Sequence, residues 1–328
     1  MGFNEFLGNT AILKALQKQL AEDRLPHSLL FAGIPGVGKR TLADFLSMAV
    51  NCLEESHDFC GHCPSCRKIT ENSHGDVKHF EPDGQFIKID QMRELSREVF
   101  FRPFEGRMRV FIIDEAEKMN LEAANSILKT LEEPPPSSLL ILVSNRPEEL
   151  PATIRSRCQT YHFTALPPSD VASFLGKQGI YTEAERNILA RISGGSVGRA
   201  LSLALDEYQR MRSEMLELLQ LCSRNFLYSK VIGITAPLSR EKDEFENKMK
   251  ILFELLHDLF LLKVDPQSEF ITNLDIKERL LDLSRSFSRE QIIAGTRTLD
   301  HLETGSRRNL NKHLALDQFV FRLSGQFS

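Results

Sequence analysis

The sequence predicts an α/β fold, a parallel-sheet domain built around a phosphate-binding loop and carrying an inserted metal module, followed by purely helical segments. Three observations carry this expectation. Short, continuously apolar runs alternate with helical patterns through residue 166, which is how parallel strands covered on both faces read. Gly33-Ile34-Pro35-Gly36-Val37-Gly38-Lys39 fits G-x-x-x-x-G-K between a strand-like run and a helical one, the context that motif needs. After Leu166-Pro167-Pro168 strand signals nearly vanish.

Taken in order, SLLFA at 28–32 is a buried strand that runs into the glycine loop. A helix follows from Arg40 to about Asn51, with Leu42, Phe45, Leu46, Ala49 and Val50 on its apolar side. VKHFEP at 77–82 alternates like a strand before an Asp83-Gly84 turn, and Asp90 is placed to cap a helix reaching Phe101. RVFIID at 109–114 is the next strand. Asn120 caps a helix through Leu131, and Pro134, Pro135 and Pro136 stop it, since proline lacks the donor and clashes with the preceding turn. LLILVSN at 139–145 is a further buried strand. Beyond it, Thr182 to Glu185 has capping-box spacing and GGSVGRAL at 194–201 turns into a new helix. The amphipathic pattern is clearest in KMKILFELLHDLFLLKV, 248–264. The expected domains are 1–166, 167–206 and 207–328.

Composition bounds the function classes. With 328 residues, 41% hydrophobic and 26% charged, and a net charge of -4, the chain reads as a globular protein whose charge names no partner. The start, MGFNEFLGNT, lacks a basic segment followed by an apolar one, and Phe6 stands where myristoylation needs Ser or Thr. No apolar run approaches the roughly 18 residues that span a bilayer. A cytoplasmic protein with no membrane partner is expected.

In the glycine loop, backbone N–H groups and a helix N-terminus can surround phosphate oxygens while Lys39 supplies a point charge. The alternative is a strand-to-helix turn that binds nothing. The next residue should be a hydroxyl that ligates magnesium, and it is Arg40, with Thr41 displaced by one position. A guanidinium cannot ligate a cation. Asp114 and Glu115 end a buried strand, where one carboxylate suits a magnesium–water contact and the other the polarisation of water.

Four cysteines, Cys52, Cys60, Cys63 and Cys66, include two C-x2-C pairs. Zinc is the ion expected for such convergent thiolates, with His57 and His62 as spare ligands and free buried thiols as the plainer alternative. A closed four-thiolate site has no position for substrate, so its role is structural.

These motifs resemble the AAA+ ATPases, and within them the bacterial clamp-loader subunits. The resemblance rests on RLPHSLLFAG, the cysteine insertion, FIIDEAEKMNLEAANSILKTLEEPPPSSLLILVSN, LPATIRSRCQTYHF and GRAL, and covers about the first 200 residues. It implies an AAA+ P-loop domain with a zinc module, then a helical lid domain and a C-terminal helical collar domain. It implies nucleotide contacts from Gly33, Gly36, Gly38, Lys39 and Thr41, with ATP and magnesium as cofactors. Ser144 and Asn145 resemble sensor 1, and Arg199 in GRAL resembles sensor 2; alone, Arg199 would read as a solvated helix residue. Ser156-Arg157-Cys158 resembles the segment whose arginine reaches a neighbouring subunit's ATP site, where it offsets charge on the transferred phosphoryl group. The plainer role for Arg157 is to neutralise the carbonyl end of the preceding helix.

The resemblance further implies a heteropentamer of clamp-loader subunits, a sliding clamp met indirectly or weakly, and primer-template DNA bound without sequence preference. Arg93, Arg97, Arg102, Arg107 and Arg109 are candidate phosphate contacts, although interspersed Glu94, Glu98 and Glu105 also suit a solvated helix face. The leading expectation is a subunit that hydrolyses weakly or not at all and donates Arg157 in trans, with Asp114 and Glu115 vestigial. The alternatives are an active AAA+ ATPase and a zinc-dependent nucleic-acid-binding protein on the same scaffold.

Overall fold

The computed structural model describes residues 2–223, 242–306 and 312–325. The chain forms two compact units, Met1–Tyr181 with Ser193–Leu201, and Thr182–Ile192 with Ser202–Ser328. Parts of the expected 207–328 domain, at 224–241, 307–311 and 326–328, lie outside the described residues.

The first unit is a five-stranded parallel sheet of β1 (Ser28–Ala32), β2 (Val77–Phe80), β3 (Arg109–Ile113), β4 (Ser138–Ser144) and β5 (Gln159–His162), in the order β2-β3-β4-β1-β5. This is the parallel α/β sheet that the apolar runs and the glycine loop imply. Alternation along each strand makes two cores. Leu29, Phe31, Val110, Ile112, Leu139, Ile141 and Val143 face one cluster, and Leu30, Ala32, Phe111, Ile113, Leu140 and Leu142 face the other. Side chains of successive strand residues leave opposite faces, so a continuously apolar strand must be covered twice. Helices α1 (Thr10–Ala21), α2 (Lys39–Asn51) and α3 (Pro64–Thr70) supply the first cover. Helices α4 (Ile89–Glu98), α5 (Leu121–Ser126), α6 (Leu128–Glu132) and α7 (Ala152–Arg155) supply the second.

Two local expectations are corrected. Helix α4 is capped two residues earlier than expected, at Lys88 and not Asp90, and the Lys88 backbone N–H donates to Gln91 Oε1 at 2.8 Å. It also ends at Glu98, leaving Phe100, Phe101 and Phe104 exposed beyond it. The helix capped by Asn120, whose Oδ1 accepts from Ala123 N at 2.8 Å, is broken at Ile127 into α5 and α6. There Ser126 Oγ donates back to Ala123 O at 2.7 Å, a side-chain bond that competes with the helical ladder and bends it.

The segment that leads into β3 is held from inside. Asp76, 1% exposed, accepts from the backbone N–H groups of Phe104, Glu105 and Gly106 at 2.8 Å. Asn51, at the end of α2, accepts from Arg107 N and Met108 N at 2.8 and 2.9 Å and donates to Met108 O at 3.0 Å. Burial alone would raise the Asp76 carboxyl, but these N–H donors and Arg109 outweigh it and hold its pKa below the usual carboxylate range.

Unit 1 also contains α8 (Pro168–Gln178) and the helix α10 (Val197–Ser202). In unit 2, α9 (Glu183–Ile192) opens with the capping box as expected, Glu185 N donating to Thr182 Oγ1 and Thr182 N to Glu185 Oε2. Long helices Leu205–Ser223, Lys242–Val264 and Arg289–Ser306 follow in the same unit. A buried polar knot ties the connection after Val264 to them: Arg212 pairs with both oxygens of Asp275, and Asp258 accepts from Thr272 N and Asn273 N. Among the described residues no helix is long and apolar enough to cross a membrane.

Replacing Asp76 with alanine strands three backbone N–H donors and leaves Arg109 with Glu98 as its one carboxylate partner, and is expected to cost about 2–4 kcal/mol in urea unfolding. Because its folded pKa is depressed, the wild-type contribution is full above the unfolded carboxylate range near pH 4 and is lost as pH falls through the lower folded value. The variant should therefore lose the acid-side part of the wild-type pH–stability slope.

Candidate functional site

The C-terminal ends of β1, β3 and β4 lie side by side, which is where open parallel sheets bind ligands. Ala32 pairs with Ser144, and Ile113 with Leu142. The loop after β1, the acidic pair after β3 and the polar pair after β4 are therefore neighbours in space. A cavity of about 460 Å3 opens there, bordered by Gly36, Gly38, Lys39, Thr41, Asp114 and Asn145.

The loop has the backbone that its glycines permit. Gly36 has φ +74°, and a Cβ there would fall 2.4 Å from Ser196 Oγ and 3.2 Å from Gly198 Cα. Gly198 N donates to Gly36 O at 2.9 Å, so the GRAL helix α10 rests directly on the loop. Gly38 has φ +94° and lies under the Phe6 ring, 2.9 Å from where its Cβ would be. Phe6 in turn packs edge-on against Phe45 and Phe163. This N-terminal strap has no motif, and sequence reasoning missed it.

Lys39 is 4% exposed and donates three hydrogen bonds, to Gly33 O at 2.6 Å, Ile34 O at 2.7 Å and Asn145 Oδ1 at 2.8 Å. An ammonium has three donors, and all are engaged. Burial lowers its pKa to about 8, against the opposing pull of Glu117 and Asp114. Asn145 is thus joined to the loop lysine, and its own N–H donates to Glu117 Oε1 at 3.2 Å. Ser144 is buried and its Oγ accepts from Arg146 N.

Arg40 points to the carboxylates. Its Nη1 donates to Glu81 Oε1 at 2.8 Å and to Asp114 Oδ2 at 2.9 Å, and its Nε lies 3.8 Å from Asp44 Oδ2. Asp114 Oδ1 accepts from Glu115 N at 2.9 Å. Burial pushes the Asp44 carboxyl up to about 6, and burial together with Arg40 brings His79 beside it down to about 4. Glu115 adopts φ +47° and its carboxylate accepts from Lys118 Nζ at 2.8 Å. The Asp44 contact was legible as an i,i+4 spacing on α2; Glu81, at the end of β2, gave no sequence signal. Thr41 is exposed at the cavity.

The four cysteine sulfurs lie within 4.8 Å of one another and could hold a metal ion. A tetrahedral ion with bonds of about 2.3 Å to sulfur sets its ligands about 3.8 Å apart, so the cluster is near the needed size. Backbone N–H groups of Glu55 and Cys60 donate to Cys52 Sγ, Cys63 N to Cys60 Sγ, and Cys66 N to Cys63 Sγ, at 3.3–3.4 Å. Such donors stabilise thiolate charge. Cys52, Cys63 and Cys66 belong to the same core as α2, joined through Phe59, which contacts Phe3 and Phe45. The spare ligand His62 faces Glu54 Oε2 at 2.8 Å.

Arg157 follows α7. Its Nε donates to Glu132 Oε1 at 2.8 Å and its Nη1 to Thr153 O at 2.9 Å. It therefore meets a helix carbonyl, as the plainer reading requires, and also a carboxylate on α6. Arg199 is exposed at the start of α10, its N–H donating to Ser196 Oγ. Of the basic stretch, Arg109 turns inward, 7% exposed, donating to Glu98 O at 2.7 Å beneath Phe101. Arg102 and Arg107 remain exposed.

Residues 8–167 match the family model described as "DNA polymerase III, delta subunit". Along 93% of its length the chain is 28% identical to DNA polymerase III subunit delta' of Bacillus subtilis, covering 94% of that protein. It is 30% identical to subunit tau/gamma of Haemophilus influenzae over 88% of this chain, and spans 45% of that longer protein. Among solved structures, a DNA polymerase III gamma subunit-related protein of Thermotoga maritima matches at 17% identity and TM-score 0.43, covering 95% of this chain and 98% of that one.

Gly36→Ala forces a methyl into the Ser196–Gly198 turn at a positive φ. It is expected to destabilise the first unit by about 1–3 kcal/mol, read as a lower urea midpoint with an unchanged slope.

Proposed function

From the match of residues 8–167 to the DNA polymerase III delta-subunit family model, and the 28% identity to a delta' subunit along 93% of the chain, we propose that this protein is a delta-prime-like clamp-loader subunit. In this reading it sits in a heteropentamer of related subunits that loads a sliding clamp onto primed DNA in the cytoplasm, meeting the clamp weakly and the DNA without sequence preference. Its own ATP hydrolysis is weak or absent. Polymerase activity belongs to the assembly and not to this chain.

The observation that carries this reading is the ion pair of Arg40 with Asp114 inside an otherwise complete phosphate loop. An active site of this class holds magnesium between a loop hydroxyl and the carboxylate after β3. Here the hydroxyl is missing and the carboxylate is engaged, so Asp114 and Glu115 are vestigial as catalytic groups. Gly33, Gly36, Gly38, Lys39, Thr41, Asn145 and Arg199 keep the form of a nucleotide site. Catalysis then falls to a neighbour, with Arg157 as the group supplied to it.

Arg157 suits that role chemically. A guanidinium stays charged, and its planar fork fits phosphate oxygens. Glu132 and Thr153 O hold it in one orientation at the surface. Reaching a partner's phosphate requires exchanging the Glu132 contact for a stronger anion, and the exposed setting of that pair makes the exchange inexpensive.

The cysteine cluster is read as a structural zinc site of Cys52, Cys60, Cys63 and Cys66. When bound, zinc would supply a closed four-thiolate crosslink with no open position for substrate. It would tie the end of α2 to α3.

Two measurements test these readings. In the reconstituted complex, Arg157→Ala should lower turnover at the site receiving it by on the order of 10^3-fold, while Lys39→Ala should leave turnover unaltered; an intact rate with Arg157→Ala removes the trans role. Mercurial titration of the purified chain should release one zinc per chain, and release of none would remove the metal.

A further inference from the structure

The phosphate loop carries a cation of its own where an ATPase of this class seats a metal. Arg40 Nη1 is shared by Glu81 Oε1 and Asp114 Oδ2, and Asp44 stands behind it at 3.8 Å. Asp114's other oxygen already accepts from Glu115 N. A divalent ion here would need a lone pair from position 40 and a carboxylate free to turn toward it. It meets a guanidinium with five donors and no acceptor. Like charges at that distance repel, and burial weakens the screening that would soften the repulsion. Magnesium does not fit the residues present.

Phosphate does fit. Beside the loop is a cavity of about 460 Å3, within the range that takes a nucleotide-sized ligand. Lys39 and Arg40 both border it, and on binding the lysine would exchange its bonds to Gly33 O, Ile34 O and Asn145 Oδ1 for phosphate oxygens. Glu81 and Asp114 take Nη1 and Asp44 stands near Nε, which leaves Nη2 of a cavity-lining guanidinium for an anion. Apolar Phe6, Leu166 and Phe174 line the rest, a surface for a base.

We propose that this loop binds a nucleoside di- or triphosphate in its magnesium-free form, with Arg40 as the resident counter-ion that the metal would otherwise provide. The inference rests on reading the loop as a phosphate site. It follows that occupancy here is independent of divalent cations, and that bound nucleotide is retained unhydrolysed because no metal bridges its β- and γ-phosphates.

The test uses the full chain and a fluorescent ADP analogue, titrated in excess EDTA and again in excess magnesium. The wild type should bind with dissociation constants within about threefold of each other. Lys39→Ala should lose binding in both conditions. Arg40→Thr should bind at least about tenfold more tightly with magnesium than without. Manganese provides a second readout that needs no variant. Wild-type protein with nucleotide should give no enhancement of water-proton relaxation beyond that of free manganese–nucleotide, and Arg40→Thr should give one. Binding by the wild type only with magnesium, binding in neither condition, or an enhancement with the wild type each overturns the proposal. If Arg40→Thr does not fold, the wild-type manganese result decides alone. The ring reading is measured through a neighbour's turnover, so either can fail without the other.

Discussion

The parallel pairing of β1 with β4, and of β4 with β3, is the constraint from which the site follows. Its register sets Ala32 against Ser144 and Ile113 against Leu142, so three chain segments far apart in sequence leave the sheet at one edge. Parallel strands require crossovers, and the crossovers here are the helices that bury both faces. The same apolar runs that stabilise the sheet therefore deliver Lys39, Asp114 and Asn145 to one place. No local signal for a binding site is needed beyond the residues that happen to end each strand.

Charge at that edge is balanced internally. Lys39 spends its three donors on Gly33, Ile34 and Asn145, and Arg40 joins Glu81 to Asp114. Taking either cation away would leave partly buried acceptors without a donor, which costs more than the pair itself is worth. These side-chain bonds hold the loop in shape. Packing reinforces this from two sides, with Phe6 over Gly38 and the turn at Ser196–Gly198 over Gly36. The cysteine cluster anchors the far end of the same helix, through Cys52 immediately after α2 and Phe59 against Phe45.

Much of this was legible beforehand because it is local or periodic. SLLFA, RVFIID and LLILVSN had to be strands buried on both faces, and the glycine loop had to follow the first of them. The C-x2-C spacing brought the thiolates together without reference to the rest of the chain. What escaped was of longer range. Glu81 could not be assigned to Arg40 until β2 was placed beside β3, since nothing in a spacing of 41 residues marks contact. Phe6 reached Gly38 by crossing from an N-terminal segment with no periodicity. The break at Ile127 was hidden for another reason: apolar spacing runs straight through it, and the Ser126 back-bond that accompanies it is a side-chain detail. Arg109 shows the limit of composition, for its place at the start of β3 turns it inward although its neighbours Arg102 and Arg107 face water.

Arg40 and Arg157 are held in different ways. Arg40 is held by three carboxylates on α2 and on the segments after β3 and β2, two of them partly buried. Its release would expose those charges to one another, so it stays. Arg157 has one carboxylate partner, Glu132, and one helix carbonyl, and both it and Glu132 reach solvent. Water can replace those contacts at little cost, and an incoming phosphate offers more acceptors than it displaces. The two arginines are about equally exposed, so the number and burial of their anchoring acids are what set Arg40 apart from Arg157. Neither difference is written in the residue type, and both follow from where the sheet places the neighbouring acids.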